Sequence, residues 1–109
     1  MLARHGDYEI DDSRQRIVFA RVTQWLASCY WSPGVSRATV EKAATHSALL
    51  VGAYLGEQQV GYLRVVSDTT TFGWIADVYV DESHRRKGIA VAMVRFALQH
   101  PDFAELRKW

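Results

Sequence analysis

Residues 89–100 read as a helix that is apolar almost all round, with Arg95 and Gln99, four apart, as its one clear polar stripe. Such a helix needs cover over most of its surface. It follows a strand-like run at 74–80, and Pro101-Asp102 ends it before a second extended run over 104–109. A helix that crosses a sheet from one strand to another suits a right-handed β-α-β unit with parallel strands. Between the first strand and the helix lies Arg85-Arg86-Lys87-Gly88-Ile89-Ala90. Its cations sit where the helix macrodipole is already positive, each unfavourable by roughly 0.3–1 kcal/mol. A broken local rule of this kind points to function. Unpaired N–H groups at a helix start, with cations beside them, suit a phosphate. Gly88 lets the backbone approach a ligand, and Ala90 keeps the first turn slim. Taken alone, the hexapeptide is equally compatible with a solvated basic loop before a buried helix.

The preceding residues supply a sheet. Tyr8–Asp11 reads as a short first strand. Ser13 is the N-cap of a helix ending near Ser28, with Val18, Val22, Trp25 and Leu26 at helical spacing. Residues 30–34 form a loop marked by Pro33-Gly34, and Ser36 caps a second, shorter helix with Val40, Ala43 and Ala44 on its apolar side. Strands follow at Leu49–Leu55, 60–66 and 72–80, with turns at 56–59 and 68–71. Turns this short predict an antiparallel meander.

A chain of 109 residues that is 49% hydrophobic forms one domain with a core but little to spare. Its net charge of +1 leaves no broad basic surface for nucleic acid. Cys29, the only cysteine, rules out an internal disulfide and points to a cytoplasmic setting. Near a helix end it reads as a small apolar filler rather than a nucleophile. His5, His46, His84 and His100 show neither zinc-ligand spacing nor a cysteine partner, so no metal is expected. No apolar run approaches a membrane span and residues 1–7 lack a signal peptide's apolar core, so no membrane partner is expected.

The order of elements, the strand Ala76-Asp77-Val78-Tyr79-Val80, the linker 81–84 and then R-x-x-G-x-A resemble the GCN5-related N-acetyltransferase (GNAT) family. That family's acetyl-CoA signature, Gln/Arg-x-x-Gly-x-Gly/Ala, directly follows its fourth strand; Arg85, Gly88 and Ala90 fill the fixed positions. The resemblance spans nearly the whole chain and is closest to small, single-domain bacterial members. It implies an α/β (α+β) fold with a mixed sheet: an antiparallel meander, then a helix crossover to a parallel strand. The pantetheine arm of acetyl-CoA would lie in the gap where the two parallel strands splay.

The resemblance also implies roles. Backbone N–H groups from Arg86 through Lys87, Gly88 and Ile89 to Ala90 hold the pyrophosphate, and the side chains of Arg85, Arg86 and Lys87 add charge. Backbone groups of Val78 and Val80 pair with pantetheine, and one N–H steadies the thioester oxygen. The reaction implied is direct attack of a primary amine, on a small molecule or a peptide, without an acyl-enzyme. A CoA-binding module without turnover is the alternative. Family members often carry a base at the positions matching Trp74 or Ala76, and neither residue titrates near neutrality. Asp77, turned to the opposite face by strand alternation, reads as structural rather than as a base. Glu82 and His84 either relay protons through water or are simply solvated, so no general base is identified. Tyr30 and Trp31 lie in the loop that borders the family's acceptor site, as a wall for the acceptor or as plugs under the loop. Phe72 and Trp74 read as packing residues.

Against the family, the chain stops as its fifth strand begins: residues 1–109 are expected to be one GNAT-like domain, truncated at its C-terminus. By the resemblance, the helix whose tyrosine protonates the departing thiolate, one wall of the cofactor cleft and the closing hairpin would all fall after Trp109. A fragment, a truncated gene product and a protein completed by another chain all fit. The open edge and uncovered apolar face predict that the isolated chain forms a homodimer, swaps its final strand or aggregates.

Overall fold

Short turns do build an antiparallel sheet, with one strand more at its N-terminal edge than expected. The computed structural model describes all 109 residues. Strands β1 (Leu2–His5), β2 (Tyr8–Asp11), β3 (Leu49–Leu55), β4 (Gln58–Ser67) and β5 (Gly73–Val80) lie side by side in chain order, every pair antiparallel. Helices α1 (Phe19–Ala27) and α2 (Arg37–Thr45) cover one face around Leu50 and Tyr62. Helix α3 (Ile89–Leu98) covers the other, with Ile89, Met93 and Ala97 against Val51, Leu63 and Val65. Because both faces are covered, β3 is buried at every position but Leu55 and reads as a continuous apolar run instead of an alternating one. No helix is long and apolar enough to cross a membrane.

Four local expectations are corrected. The edge strand β1 was not foreseen; Leu2 and Arg4 are exposed and its neighbours half-buried, so no apolar alternation marks it. The helix expected from Ser13 breaks into a 3-10 turn (Arg14–Arg16), an extended Ile17-Val18 and then α1. Tertiary contacts hold that break. Arg14 donates to the carbonyls of Ala44 and Ser47 at 2.9 and 2.6 Å, and Arg16 bonds Glu9 and Asp11 at 3.0 Å each while lying 3.8 Å over the Tyr54 ring. The N–H of Val18, at the start of α1, donates to the buried Gln59 side chain at 2.8 Å, so no serine cap is needed. Helix α3 stops at Leu98 because His100 is drawn to Asp12 (2.8 Å) and accepts the Asp102 N–H. The parallel strand expected over 104–109 is present only as an isolated bridge, Phe72 to Lys108, with the Gly73 N–H donating to Lys108 O at 2.9 Å. The turn that begins at Pro101 runs on into the expected strand, with the Leu106 N–H bonded back to Phe103 O at 3.2 Å. Ser36 caps α2 as expected, accepting the Thr39 N–H at 3.2 Å.

One irregularity positions the site. Tyr62 pairs with Tyr79 and Arg64 with Ala76, so Asp77 and Val78 together face Leu63 in a β-bulge. Asp77 adopts a left-handed φ of 56°. The extra residue resets the alternation: Ile75, Val78 and Val80 all pack toward α3, while Tyr79 stacks on Trp25 at 5.2 Å on the other face.

Candidate active site

The bulged end of β5 and the start of α3 frame a cleft of about 740 Å³. Val78, Tyr79 and Val80 form one wall, and Arg85, Arg86 and the helix start from Gly88 to Val91 form the second. The loop after α1, with Ser28, Cys29, Tyr30 and Trp31, forms the third. The structure brings Val78, Val80, Arg85, Arg86, Gly88, Ile89, Ala90, Tyr30 and Trp31 to one cavity; Lys87 is exposed and does not line it. Ser28, Cys29, Tyr79 and Val91 line it without having been assigned to it. Val91 left a trace in the sequence, as an apolar residue in the first turn of the helix; it is 58% exposed.

Left-handed residues mark the loop backbone. Arg86 (φ 66°) and Gly88 (φ 77°) are both left-handed, and such residues alternating with ordinary ones turn successive N–H groups toward a common point. Behind them the first N–H groups of α3 lack helical acceptors; Ala92 N–H is the first to find one, Gly88 O at 3.0 Å. Neither Arg86 nor Lys87 has a carboxylate partner. Arg85 is used differently: its Nε donates to Val80 O at 2.9 Å and its guanidinium lies 5.1 Å from the Tyr79 ring, tying the loop to the strand end. Along 74–80 the outer edge of β5 has no strand partner.

The groups nearest the bulge are already engaged. Asp77 accepts from Arg64 Nε at 2.7 Å and from Trp31 Nε1 at 3.2 Å, which fits a structural role; the bulge, not plain alternation, sets its direction. Trp31 is 46% and Tyr30 90% exposed, edge-on to each other at 5.2 Å, so they form a rim of the cleft and not plugs beneath the loop. Phe72 and Trp74, expected to pack, are 41% and 65% exposed at the sheet edge, outside both apolar clusters. Burial pushes the Cys29 thiol up; the Arg85 charge opposes this and the Asp77 charge adds to it. His84 shares a 2.8 Å hydrogen bond between its Nδ1 and the Tyr8 hydroxyl, and it lines the cleft.

A sequence profile of the acetyltransferase (GNAT) family matches residues 19–107. No curated protein is significantly similar in sequence. Among solved structures, a GNAT-family protein from Xanthomonas campestris pv. campestris is 28% identical, with a TM-score of 0.88 over 93% of this chain and 71% of its own. A GNAT-family acetyltransferase from Streptococcus pneumoniae TIGR4 is 25% identical, with a TM-score of 0.68 over 94% of this chain and 74% of its own. An aminoglycoside 6'-N-acetyltransferase complexed with coenzyme A shares the fold at 15% identity, with a TM-score of 0.67 over 81% of this chain and 52% of its own. With a family profile covering most of its length, the chain belongs to the GNAT acetyltransferase family.

Proposed function

We propose that this chain is an acetyl-CoA-dependent N-acetyltransferase whose acceptor is a primary amine. The observation that carries this reading is the cleft between the unpaired edge of β5 and the left-handed turns at Arg86 and Gly88. In this reading the N–H groups from Arg86 to Ala90 hold the pyrophosphate, with charge from Arg85, Arg86 and Lys87. Backbone groups of Val78 and Val80 receive the pantetheine arm, and an N–H there stabilises the oxyanion as the C–N bond forms. Tyr30 and Trp31 flank the entering amine. The amine nitrogen attacks the thioester carbon, the C–S bond breaks, one proton leaves the nitrogen and the thiolate takes one up.

A second reading, a CoA-binding module without turnover, draws on a specific observation. Asp77, the carboxylate at the bulge, has one oxygen held by Trp31 and the other by Arg64, so it does not stand free as a base. Acetyl-CoA consumption measured over a panel of amines separates the two: binding with no turnover on any amine selects the module.

Binding itself is tested by thermal melting. A ligand specific for the folded state adds about 2.7 kcal/mol at a hundred times its dissociation constant. The expected result is a saturable rise with acetyl-CoA that Gly88→Glu abolishes, since a carboxylate at a left-handed position is both strained and repelled by phosphate. A Gly88→Glu protein that keeps the full shift would remove the loop from the site.

A further inference from the structure

The tip of the β1–β2 hairpin makes two hydrogen bonds to the segment that carries the left-handed turns. His5 and Tyr8 face each other as the closing pair of that hairpin. Each reaches one end of the loop, across 82 and 76 residues of sequence. The His5 Nε2–H donates to the Lys87 carbonyl at 2.6 Å; a carbonyl can only accept, so this nitrogen carries the proton. The Tyr8 hydroxyl bonds His84 Nδ1 at 2.8 Å, with the two rings edge-on at 5.7 Å. The His5 ring also lies 3.2 Å from the point a side chain would occupy at Gly88, so it packs directly under the turn.

The bond to Lys87 has a consequence for the neighbouring donor. In a trans peptide the C=O and the following N–H point in opposite directions. With the Lys87 carbonyl drawn to His5, the Gly88 N–H is turned away from the hairpin. The peptide so fixed ends on the left-handed Gly88, where glycine gives the backbone the most freedom to lose.

We propose that His5, supported by Tyr8, is a positioning residue for the phosphate-binding loop: it fixes the Lys87–Gly88 peptide so that the Gly88 N–H is presented to the diphosphate of CoA. This rests on the reading of residues 86–90 as the pyrophosphate loop. It assigns to the N-terminal hairpin, at the opposite edge of the sheet from β5, a part in cofactor affinity.

The test compares two ligands by calorimetry on the whole chain: acetyl-CoA, and S-acetylpantetheine, which shares the thioester and arm but has no phosphate. His5→Ala is expected to weaken acetyl-CoA binding about three- to tenfold and leave S-acetylpantetheine unchanged. His5→Gln, whose amide N–H can make the same bond, is expected to restore binding, and Tyr8→Phe to show a smaller loss confined to acetyl-CoA. Equal losses for both ligands, or His5→Ala binding acetyl-CoA like the unmodified protein, would overturn the proposal and leave the loop assignment standing. If the unmodified protein binds acetyl-CoA no better than S-acetylpantetheine, the loop assignment falls and this proposal with it. Should His5→Ala melt below the working temperature, the Gln and Phe variants carry the comparison.

Discussion

At Asp77 a left-handed backbone, a β-bulge and a doubly engaged carboxylate coincide. Aspartate tolerates that conformation better than most residues because its short polar side chain bonds locally. Here the side chain bonds Arg64 and Trp31 instead, coupling the strand irregularity to the aromatic rim. Cys29, near the same point, makes a measurable marker. It is buried in the cleft wall, and burial, opposed by Arg85 and reinforced by Asp77, raises its thiol above the ordinary range. Only the thiolate reacts, so alkylation is expected to be slow near neutral pH, to speed up as pH rises, and to slow again when acetyl-CoA fills the cleft. Mass spectrometry of iodoacetamide-treated protein reads all three; rapid labelling at neutral pH, unaffected by acetyl-CoA, would contradict the placement. Arg85, Gly88 and Ala90 were legible as the start of a helix after a strand, because a helix start and a glycine are local facts; spacing left a solvated loop equally open, and only the family resemblance gave them a cofactor. Cys29 and Tyr79 were not, since their place in the cleft depends on a loop and a bulge that no local pattern announces.

Among the elements, the turn between β4 and β5 is built around the Asp68 side chain. Asp68 accepts the N–H groups of Thr70, Thr71 and Phe72 at 2.9, 2.7 and 3.3 Å, together with the Thr71 hydroxyl. These bonds hold its carboxyl far below its ordinary value of 3.8, led by the Thr71 hydroxyl. A depressed carboxylate stabilises the fold above its unfolded value and loses that contribution as pH falls through the folded one. The melting difference between the unmodified protein and Asp68→Ala is therefore expected to be constant above about pH 5 and to shrink below about pH 4. A difference that grows on acidification would contradict the assignment. The two helix caps teach a related lesson. Ser36 was readable because its partner, Thr39, is three residues away. Ser13 misled because Arg14 and Arg16 bind groups 30 residues downstream and five residues back, pulling the chain out of helix.

For the whole molecule, stability and site share one contact surface. A side-chain carbon added at Gly61 would lie 3.0 Å from Met93 of α3 and 3.1 Å from Ala53 of β3, so the helix rests directly on the sheet there. Gly61→Val is expected to cost about 1–3 kcal/mol by overpacking. For a domain of this size each kcal/mol lowers the melting temperature by about 4–8 °C. Unchanged melting would show that α3 can shift to make room. The local sequence by itself determined the motif at 85–90, the strands β3 to β5 and their antiparallel order, and the all-round apolar helix that needs a sheet beneath it. These follow from side-chain periodicity, short turns and helix-end chemistry, all of which act within a few residues. Only the tertiary structure decided the bulge at Asp77, the edge strand β1, the reduction of the C-terminal strand to one bridge, and the hairpin under the loop. Each of these is fixed by partners far apart in the chain, such as His5 and Lys87, whose meeting depends on the closure of the whole sheet.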